Sequence, residues 1–230
     1  SRALSESKRD QISPAVIKRI EKAAKKLGYY PNLAASSLKD NRSFAFGVLI
    51  PDLTNPVFPP IIRGIQDTAE AAGYTIITAN TDDEQEKEWG ALRMMMGRSI
   101  EGVIIATARR DDPIVDECQE NGIPFVFVNR TVDRDGMNAV IVDEDFGMRA
   151  VVDHLVDLGH ERIAHVGGPP QTSTGNRRAK VFADYLHILN LPTDMVETTT
   201  KFTVIEGKRA MQRLLDQDAN FTAITASNDL

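Results

Sequence analysis

FAFGVLIPDLTNPVFPPIIRGIQDTAEAAGYTIITA, residues 44–79, is the stretch that decides the fold of this chain. Phe44 to Ile50 form a compact apolar run that Pro51 ends. Residues 59–72 predict a helix closed by Gly73, and residues 74–79 predict a second strand. A strand, a helix and a strand joined by short connections indicate a βαβ unit, in which the two strands are parallel.

The same alternation continues toward the carboxyl end of the chain. Further strands are predicted at 102–106, 124–128, 139–142, 162–166 and 222–226, and further helices at 84–96, 113–120, 146–158, 177–189 and 206–215. Repeated βα units favour a parallel sheet covered by helices on both faces. We therefore predict an α/β fold.

The charge of the chain is divided along its length. Residues 1–42 hold ten Lys or Arg against four Asp or Glu, whereas residues 43–230 hold 17 against 29. A basic head on an acidic body is typical of contact with nucleic acid or an anionic membrane. Cys118 is the only cysteine and no apolar run of ~18 residues or secretory leader is visible, so we expect a cytoplasmic protein without a membrane partner.

The basic head contains one well-marked helix. Ser13 and Pro14 are typical of a helix start, and Gly28 of a helix end. Its apolar residues form one stripe, at positions 16, 17, 20, 23, 24 and 27, and lysines and arginines occupy the other faces. By itself this pattern fits a solvated lysine-rich face as well as a face that binds nucleic acid.

No catalytic or metal-binding set is apparent. His154, His160 and His165 lack the spacing and the cysteine partners of a zinc site. There is no glycine-rich phosphate-binding motif and no nucleophile elbow, so we expect no cofactor, no metal and no enzymatic activity.

Polar residues instead recur just beyond the predicted strands, where an open parallel sheet forms its binding crevice. They lie in residues 52–58 after the first strand, at Asn129 and Arg130, at Asp143, and in residues 172–174. Each segment alone would suit an ordinary turn. Together with the aromatic ring of Phe58 they predict a site for a small polar ligand such as a sugar or nucleoside.

Several motifs of the chain resemble the lactose-repressor family of bacterial transcription regulators. They are SRAL at the start, ISPAVIKRIEKAAKKLGYYPNLAASSLK, GVLIPDLTNPVF, GHERIAHVGGP, STGNRRAKVF and ASNDL at the end. The resemblance implies a periplasmic-binding-protein-like core of two doubly wound parallel-sheet subdomains, preceded by a partial all-α helix-turn-helix head and hinge. The implied divisions are a head at 1–30, a hinge at 31–42, an N-terminal subdomain at 43–160 and an incomplete C-terminal subdomain at 161–230.

The resemblance also implies functional residues. For DNA they are Ser1 and Arg2 in the recognition helix, and Ala35, Leu38 and Lys39 in the hinge, with Leu38 wedged into the minor groove. For the effector they are Asn55, Val57, Phe58, Asn129, Arg130, Asp143, Thr172, Ser173, Thr174, Arg178, Phe202, Asn228 and Asp229. Without DNA, we expect the hinge stretch 30–38 to be extended or poorly ordered, because two helical turns are too short to persist in water.

The function implied is that of a homodimeric, cytoplasmic, sequence-specific DNA-binding regulator, a repressor whose affinity for double-stranded operator DNA depends on a sugar-like or nucleoside-like effector. One rival is a solute-binding protein of a sugar transporter, which would share the core fold but would have no use for a basic head. A sugar-modifying α/β enzyme is a further alternative.

Overall fold

The computed structural model describes residues 13–29, 42–217 and 220–230. The chain divides into two compact units, Ser1–Phe44 and Ala45–Leu230. The described part of the first unit contains helix α1, Pro14–Lys26, which begins and ends as predicted. Ile17, Ile20 and Ala24 are its half-buried positions, and the basic side chains of the helix are exposed.

The second unit begins with a five-stranded sheet. Its strands are β1 (Ala45–Ile50), β2 (Thr75–Asn80), β3 (Gly102–Ile105), β4 (Phe125–Val128) and β5 (Ala139–Val140), in the spatial order β2-β1-β3-β4-β5 and all parallel. Helices α2 (Phe58–Ala71), α3 (Gln85–Met96) and α4 (Ile114–Glu120) connect the first four strands. We call this the first sheet.

Strand β1 is buried on both faces, which explains its continuous apolar sequence. Val48 and Ile50 pack under α2, whereas Leu49 points to the opposite face and packs with residues of α3 and α4. The reversal of strand order beside β1 makes this a doubly wound sheet, as predicted.

The remainder of the chain forms a second, three-stranded parallel sheet in the order β7-β6-β8. Its strands are β6 (Ile163–Gly167), β7 (Val196–Thr198) and β8 (Ala223–Ala226), and its helices are α5 (Glu144–Asp157), α6 (Ser173–Ile188) and α7 (Val204–Asp216). The core of α5, α6 and β6 lies on one face, and Leu214 of α7 packs with Ala164 on the other. The predicted two-sheet α/β architecture is confirmed.

Apart from small shifts at the ends of elements, three details around the second sheet differ from the sequence prediction. Strand β7 was not predicted, because a three-residue edge strand is too short to show alternation. Helix α6 begins at Ser173 rather than residue 177, because Thr172 caps it. Helix α5, which the implied division at 160 places in the N-terminal subdomain, packs its Met148 and Val152 with Phe182 of α6 beside the second sheet.

None of the helices in the described residues is both long and apolar enough to cross a membrane. The predicted DNA contacts Ser1, Arg2, Ala35, Leu38 and Lys39, and the hinge stretch 30–38, lie outside the described residues.

Candidate functional site

The carboxyl ends of the two sheets meet along one line of contacts. The backbone N–H of Thr131, after β4, donates to Oγ of Ser173 at 3.0 Å, and that of Arg110, after β3, donates to the carbonyl of Gln171 at 2.8 Å. Lys201 Nζ, after β7, reaches the carbonyl of Asp82, after β2, at 3.3 Å. We call this region the cleft, defined by residues 52–58, 81–83, 107–110, 129–131, 168–174, 199–203 and 227–229.

Arg130 is the most buried cationic side chain in the cleft, at 3% exposure. Its guanidinium donates to both carboxylate oxygens of Asp83, at 2.7 and 3.5 Å. Its carbon Cζ lies 5.8 Å from the ring centre of Phe202, which comes from the second sheet. Two predicted effector residues from different sheets are therefore brought together here.

The Nε–H of Arg130 has no hydrogen-bond partner among the described residues. A buried donor without an acceptor is energetically costly.

Arg178 joins α5, α6 and the end of β8. It forms two hydrogen bonds with the Glu144 carboxylate, through Nε and, at 2.8 Å, through Nη2, and Nη1 donates to the carbonyl of Ser227. Arg178 thereby fixes the chain one residue before Asn228. The structure places it beside the cleft, with its charge already matched by a carboxylate.

The hydroxyl of Ser227 is held by a buried network on the central strand of the second sheet. It accepts from the N–H of Gly168 at 2.9 Å and lies 3.3 Å from Nε2 of His165. Burial lowers the pKa of His165 to about 4, against an ordinary 6.5. The imidazole is therefore neutral near pH 7 and acts as a hydrogen-bonding support for this turn.

A small cavity of about 20 Å³ lies at the carboxyl edge of the second sheet. Its lining includes Gly168, Lys201, Phe202, Ser227 and Asn228. A Cβ on Gly168 would lie 2.3 Å from Cζ of Phe202, so only glycine allows the ring to lie against this turn. The cavity itself holds a water-sized group, and it marks the second-sheet wall of the cleft.

The first turn of α6 faces the same cleft. Thr172 caps the helix by accepting from the N–H of Gly175 at 3.1 Å, and its hydroxyl lies 3.5 Å from that of Thr174. Thr172 and Thr174 are both buried, whereas Ser173 bridges to Thr131. All three predicted residues thus lie at the line where the sheets meet.

The effector residues predicted in the loop after β1 are less closely joined to the other cleft residues. Phe58 is 2% exposed and packs among Val48, Ile50 and Ala106, so its ring belongs to the core and does not present a face to the cleft in this structure. Asn55 accepts from the N–H of Val57 at 3.1 Å, which shapes the loop, and Val57 is exposed.

The remaining predicted residues have local structural roles. Asn129 adopts a left-handed backbone conformation with φ of 65°, which asparagine tolerates better than most residues. Asp143 is exposed and caps α5 by accepting from Phe146 N at 2.9 Å. Asn228 Oδ1 accepts from Leu230 N at 3.4 Å, and Asp229 is exposed.

Sequence reasoning missed Asp83, Glu88, Thr107, Glu144 and Lys201. Asp83 and Thr107 lie just beyond the carboxyl ends of β2 and β3, and this position is the sequence signal that could have found them. Glu88 lies in α3 beside Thr107. Thr107 donates its hydroxyl hydrogen to Glu88, and burial, with nearby Asp112, raises the pKa of Glu88 to about 7. Within the described residues, no cluster of His, Cys, Asp and Glu is placed to hold a metal ion.

A family model described as periplasmic binding proteins and sugar-binding domain of the LacI family matches residues 43–230. The chain is 30% identical over 224 residues to the ribose operon repressor of Halalkalibacterium halodurans. That alignment covers 97% of this chain and 66% of the repressor, so the chain spans less than two thirds of that relative's length.

Two solved structures have the same fold. The transcriptional regulator CelR in complex with cellobiose is 25% identical with a TM-score of 0.70, covering 94% of this chain and 66% of CelR. The lac repressor dimer bound to operator and the anti-inducer ONPF gives a TM-score of 0.81 at 24% identity, covering 95% of this chain and 66% of that one. All three named proteins are regulators of transcription.

Proposed function

Since the chain belongs to the family of periplasmic binding proteins and LacI-type sugar-binding domains, we propose that it is the greater part of a repressor whose DNA binding responds to a sugar-like effector. The observation that carries this proposal is the cleft, where polar groups of two parallel sheets converge on Arg130 and Phe202. The carboxyl edge of such a sheet is where ligands of doubly wound folds bind.

The effector contacts proposed are those predicted from sequence except Phe58, whose ring lies in the core, supplemented by the groups that hold them. Arg130 offers its Nε–H to a ligand oxygen, and the ring of Phe202 offers an apolar face. Asn228 lies in the cavity wall, and Arg178 positions it through Ser227. Amide, guanidinium and hydroxyl groups beside an aromatic ring suit a compound that carries several hydroxyls.

DNA binding is proposed for the basic head. Helix α1 exposes Lys18, Arg19 and Lys22, and its amphipathic character fits a small helical domain better than a transport receptor. The similarity of the chain to a ribose operon repressor and to the transcriptional regulator CelR supports this class. We further propose a homodimer, because two copies of a short head can read a two-fold symmetric site.

The proposed mechanism is linkage between the two binding events. An effector that contacts both sheets changes their relative angle, and this change alters the stability of the paired hinges on the operator. Coupling of this kind changes affinity ~5- to 150-fold.

The proposal is tested with the full-length protein in two steps. A binding site is first selected from random DNA duplexes, and its affinity is then measured by fluorescence anisotropy with and without candidate sugars. We expect a palindromic site whose affinity shifts when one sugar is added. In Arg178→Ala the shift should be lost while operator affinity without sugar is kept, because the Asn228 turn loses its support.

Arg177→Ala is the matched control, since Arg177 adjoins Arg178 in α6 but pairs with Asp145 at the surface. It should respond to sugar as the wild type does. If the full-length protein binds a sugar but selects no DNA, the solute-binding alternative is supported and the proposal fails. A full response in Arg178→Ala would refute the assignment of the cleft as the effector site.

A further inference from the structure

Glu88 is a buried acidic side chain that the proposed effector contacts do not use. It lies on α3, behind the cleft, and is 5% exposed. Its carboxylate accepts a hydrogen bond from the hydroxyl of Thr107, the second residue after β3. A carboxyl group buried in this way is costly to ionise, so its surroundings decide whether it holds a proton.

Thr107 belongs to residues 106–112, which we call the β3 loop and which connect Glu88 to the second sheet. The hydroxyl of Thr107 contacts the buried carboxyl at one end of the loop. In the middle of the loop, the backbone N–H of Arg110 donates to the carbonyl of Gln171 at 2.8 Å. The same short loop therefore contacts the carboxyl behind the cleft and the opposite wall of the cleft.

Hydrogen bonds stiffen the β3 loop between these two contacts. The carboxylate of Asp112 accepts from the backbone N–H of Arg109 at 2.9 Å. The carbonyl of Arg110 accepts from the N–H of Asp133, after β4, at 2.7 Å. Because these bonds tie the loop together, a displacement at Thr107 also changes the contact of Arg110 with the second sheet.

The charged and titratable groups that face Glu88 from other elements are Asp83 after β2, Arg109 and Asp112 in the β3 loop, and Cys118 on α4. Burial and the charge of Asp112 raise the pKa of Glu88 to about 7, although the hydrogen bond from Thr107 and the charge of Arg109 act in the opposite direction. Burial raises the pKa of the Cys118 thiol to about 12, so this group keeps its proton.

The neighbours of Glu88 at the start of α3 are at the surface. Glu84 and Lys87 are exposed and pair with each other at 3.2 Å. Glu86 is also exposed. The proton on Glu88 is therefore governed by the β3 loop and the residues packed behind it.

We propose that Glu88 is a proton-operated positioning residue of the cleft, which acts through Thr107. With the proton bound, the β3 loop joins the second sheet as in this structure, and loss of the proton releases that contact. This inference rests on the proposed function of the cleft. The physical reason is that an ionised Glu88 is a buried charge beside the like charge of Asp112, and release of the loop lets water reach it.

The sign of the effect follows from linkage. The pKa of Glu88 is higher when the loop is joined and the carboxyl is buried than when the loop is released and the carboxyl is hydrated. The joined arrangement is therefore favoured as the pH falls through about 7. An effector that contacts both sheets favours the same arrangement, so proton binding and effector binding support each other.

NMR spectra of the full-length protein test the inference without an effector. The N–H groups of Arg110 and Thr131 donate hydrogen bonds between the sheets, and their proton chemical shifts report whether these bonds are formed. Spectra are recorded at a series of pH values on both sides of about 7. We expect both resonances to move upfield in one titration as the pH rises, and resonances that do not titrate would overturn the inference.

Two variants separate a proton switch from a merely structural role. Glu88→Gln resembles the protonated carboxyl, so both amide resonances should keep their low-pH positions at every pH. Thr107→Val removes a hydrogen bond that favours the ionised form, so the midpoint of the titration should rise by ~1 pH unit. A titration that persists in Glu88→Gln, or a midpoint in Thr107→Val at or below that of the wild type, would contradict the inference.

Glu86→Gln is the matched control, because Glu86 is an exposed glutamate on the same helix. Its amide resonances should titrate as those of the wild type do. If Glu88→Gln does not fold, the shifted midpoint in Thr107→Val still decides the matter. Failure to select DNA would contradict the proposed function, whereas amides that do not titrate would contradict only the role of Glu88.

Discussion

Two buried titratable side chains, one in each sheet region, have pKa values shifted in opposite directions. Burial raises the pKa of Glu88 from 4.5 to about 7 and lowers that of His165 from 6.5 to about 4. The folded state keeps the Glu88 proton longer than the unfolded state does, so this residue makes stability fall as the pH rises from about 4.5 to 7. His165 has the opposite effect between about pH 4 and 6.5.

We expect the wild-type free energy of unfolding to vary little between pH 4.5 and 6.5, since the two effects offset one another. In Glu88→Gln only the His165 effect remains, and stability should rise across this window by up to ~3 kcal/mol. Urea unfolding at a series of pH values measures this rise in the free energy of unfolding. Glu86→Gln, an exposed change on the same helix, should keep the wild-type dependence of stability on pH. If stability does not change with pH in Glu88→Gln, Glu88 is not the titrating group.

At the scale of the elements, the conformation of the first turn of α6 depends on Thr172 and Gly175. Thr172 caps the helix, and Gly175 lies so close to the preceding loop that a Cβ would be 2.3 Å from the carbonyl oxygen of Pro169. The loop after β6 can therefore fold directly back onto the helix. This close approach brings Ser173 to the first sheet.

Gly175→Ala should destabilise the protein by ~1–3 kcal/mol, because the new methyl group meets backbone that cannot move aside easily. Gly147→Ala is the matched control near the start of α5, where a Cβ meets nothing within 4 Å. It should be neutral or stabilising by up to ~1 kcal/mol, because alanine favours helix. Denaturant midpoints of the two variants measure the difference, and equal midpoints would contradict the close approach at Gly175.

At the scale of the whole molecule, the main feature is the charge division. Residues 43–230 have 29 acidic against 17 basic side chains, so the body repels polyanions while the head attracts them. DNA affinity of the full-length protein should then depend on the basic head and decrease steeply with salt.

For Lys22→Gln on α1, we expect the slope of log K against log salt for operator binding to become shallower by ~0.9, the value for one phosphate contact. Lys180→Gln on α6, which removes an exposed lysine of the body, should leave the slope unchanged. Anisotropy titrations at four salt concentrations measure both slopes. Equal slopes in Lys22→Gln and the wild type would exclude a phosphate contact at Lys22.

The sequence alone determined the charge division of the chain and the order of its helices and strands, except for the short strand β7. These follow from short-range patterns: the apolar run of β1 must be buried on both faces, and Gly28 and Gly73 must end helices. The same rules placed polar residues at strand ends, and on that basis they predict Arg130 and residues 172–174 as site residues. They could not distinguish a ligand-facing ring from a core ring, and Phe58 proved to be a core ring.

Only the tertiary structure decided which of these residues act together. Arg130 is separated from Asp83 by 47 residues and Arg178 from Ser227 by 49, and no local pattern encodes such pairs. The packing of α5 on the second sheet and the pairing of β7 were likewise set by contacts distant in the chain. Local propensity fixes each element, but the contacts across the cleft, such as that of Thr131 with Ser173, arise only when the two sheets bring their carboxyl ends together.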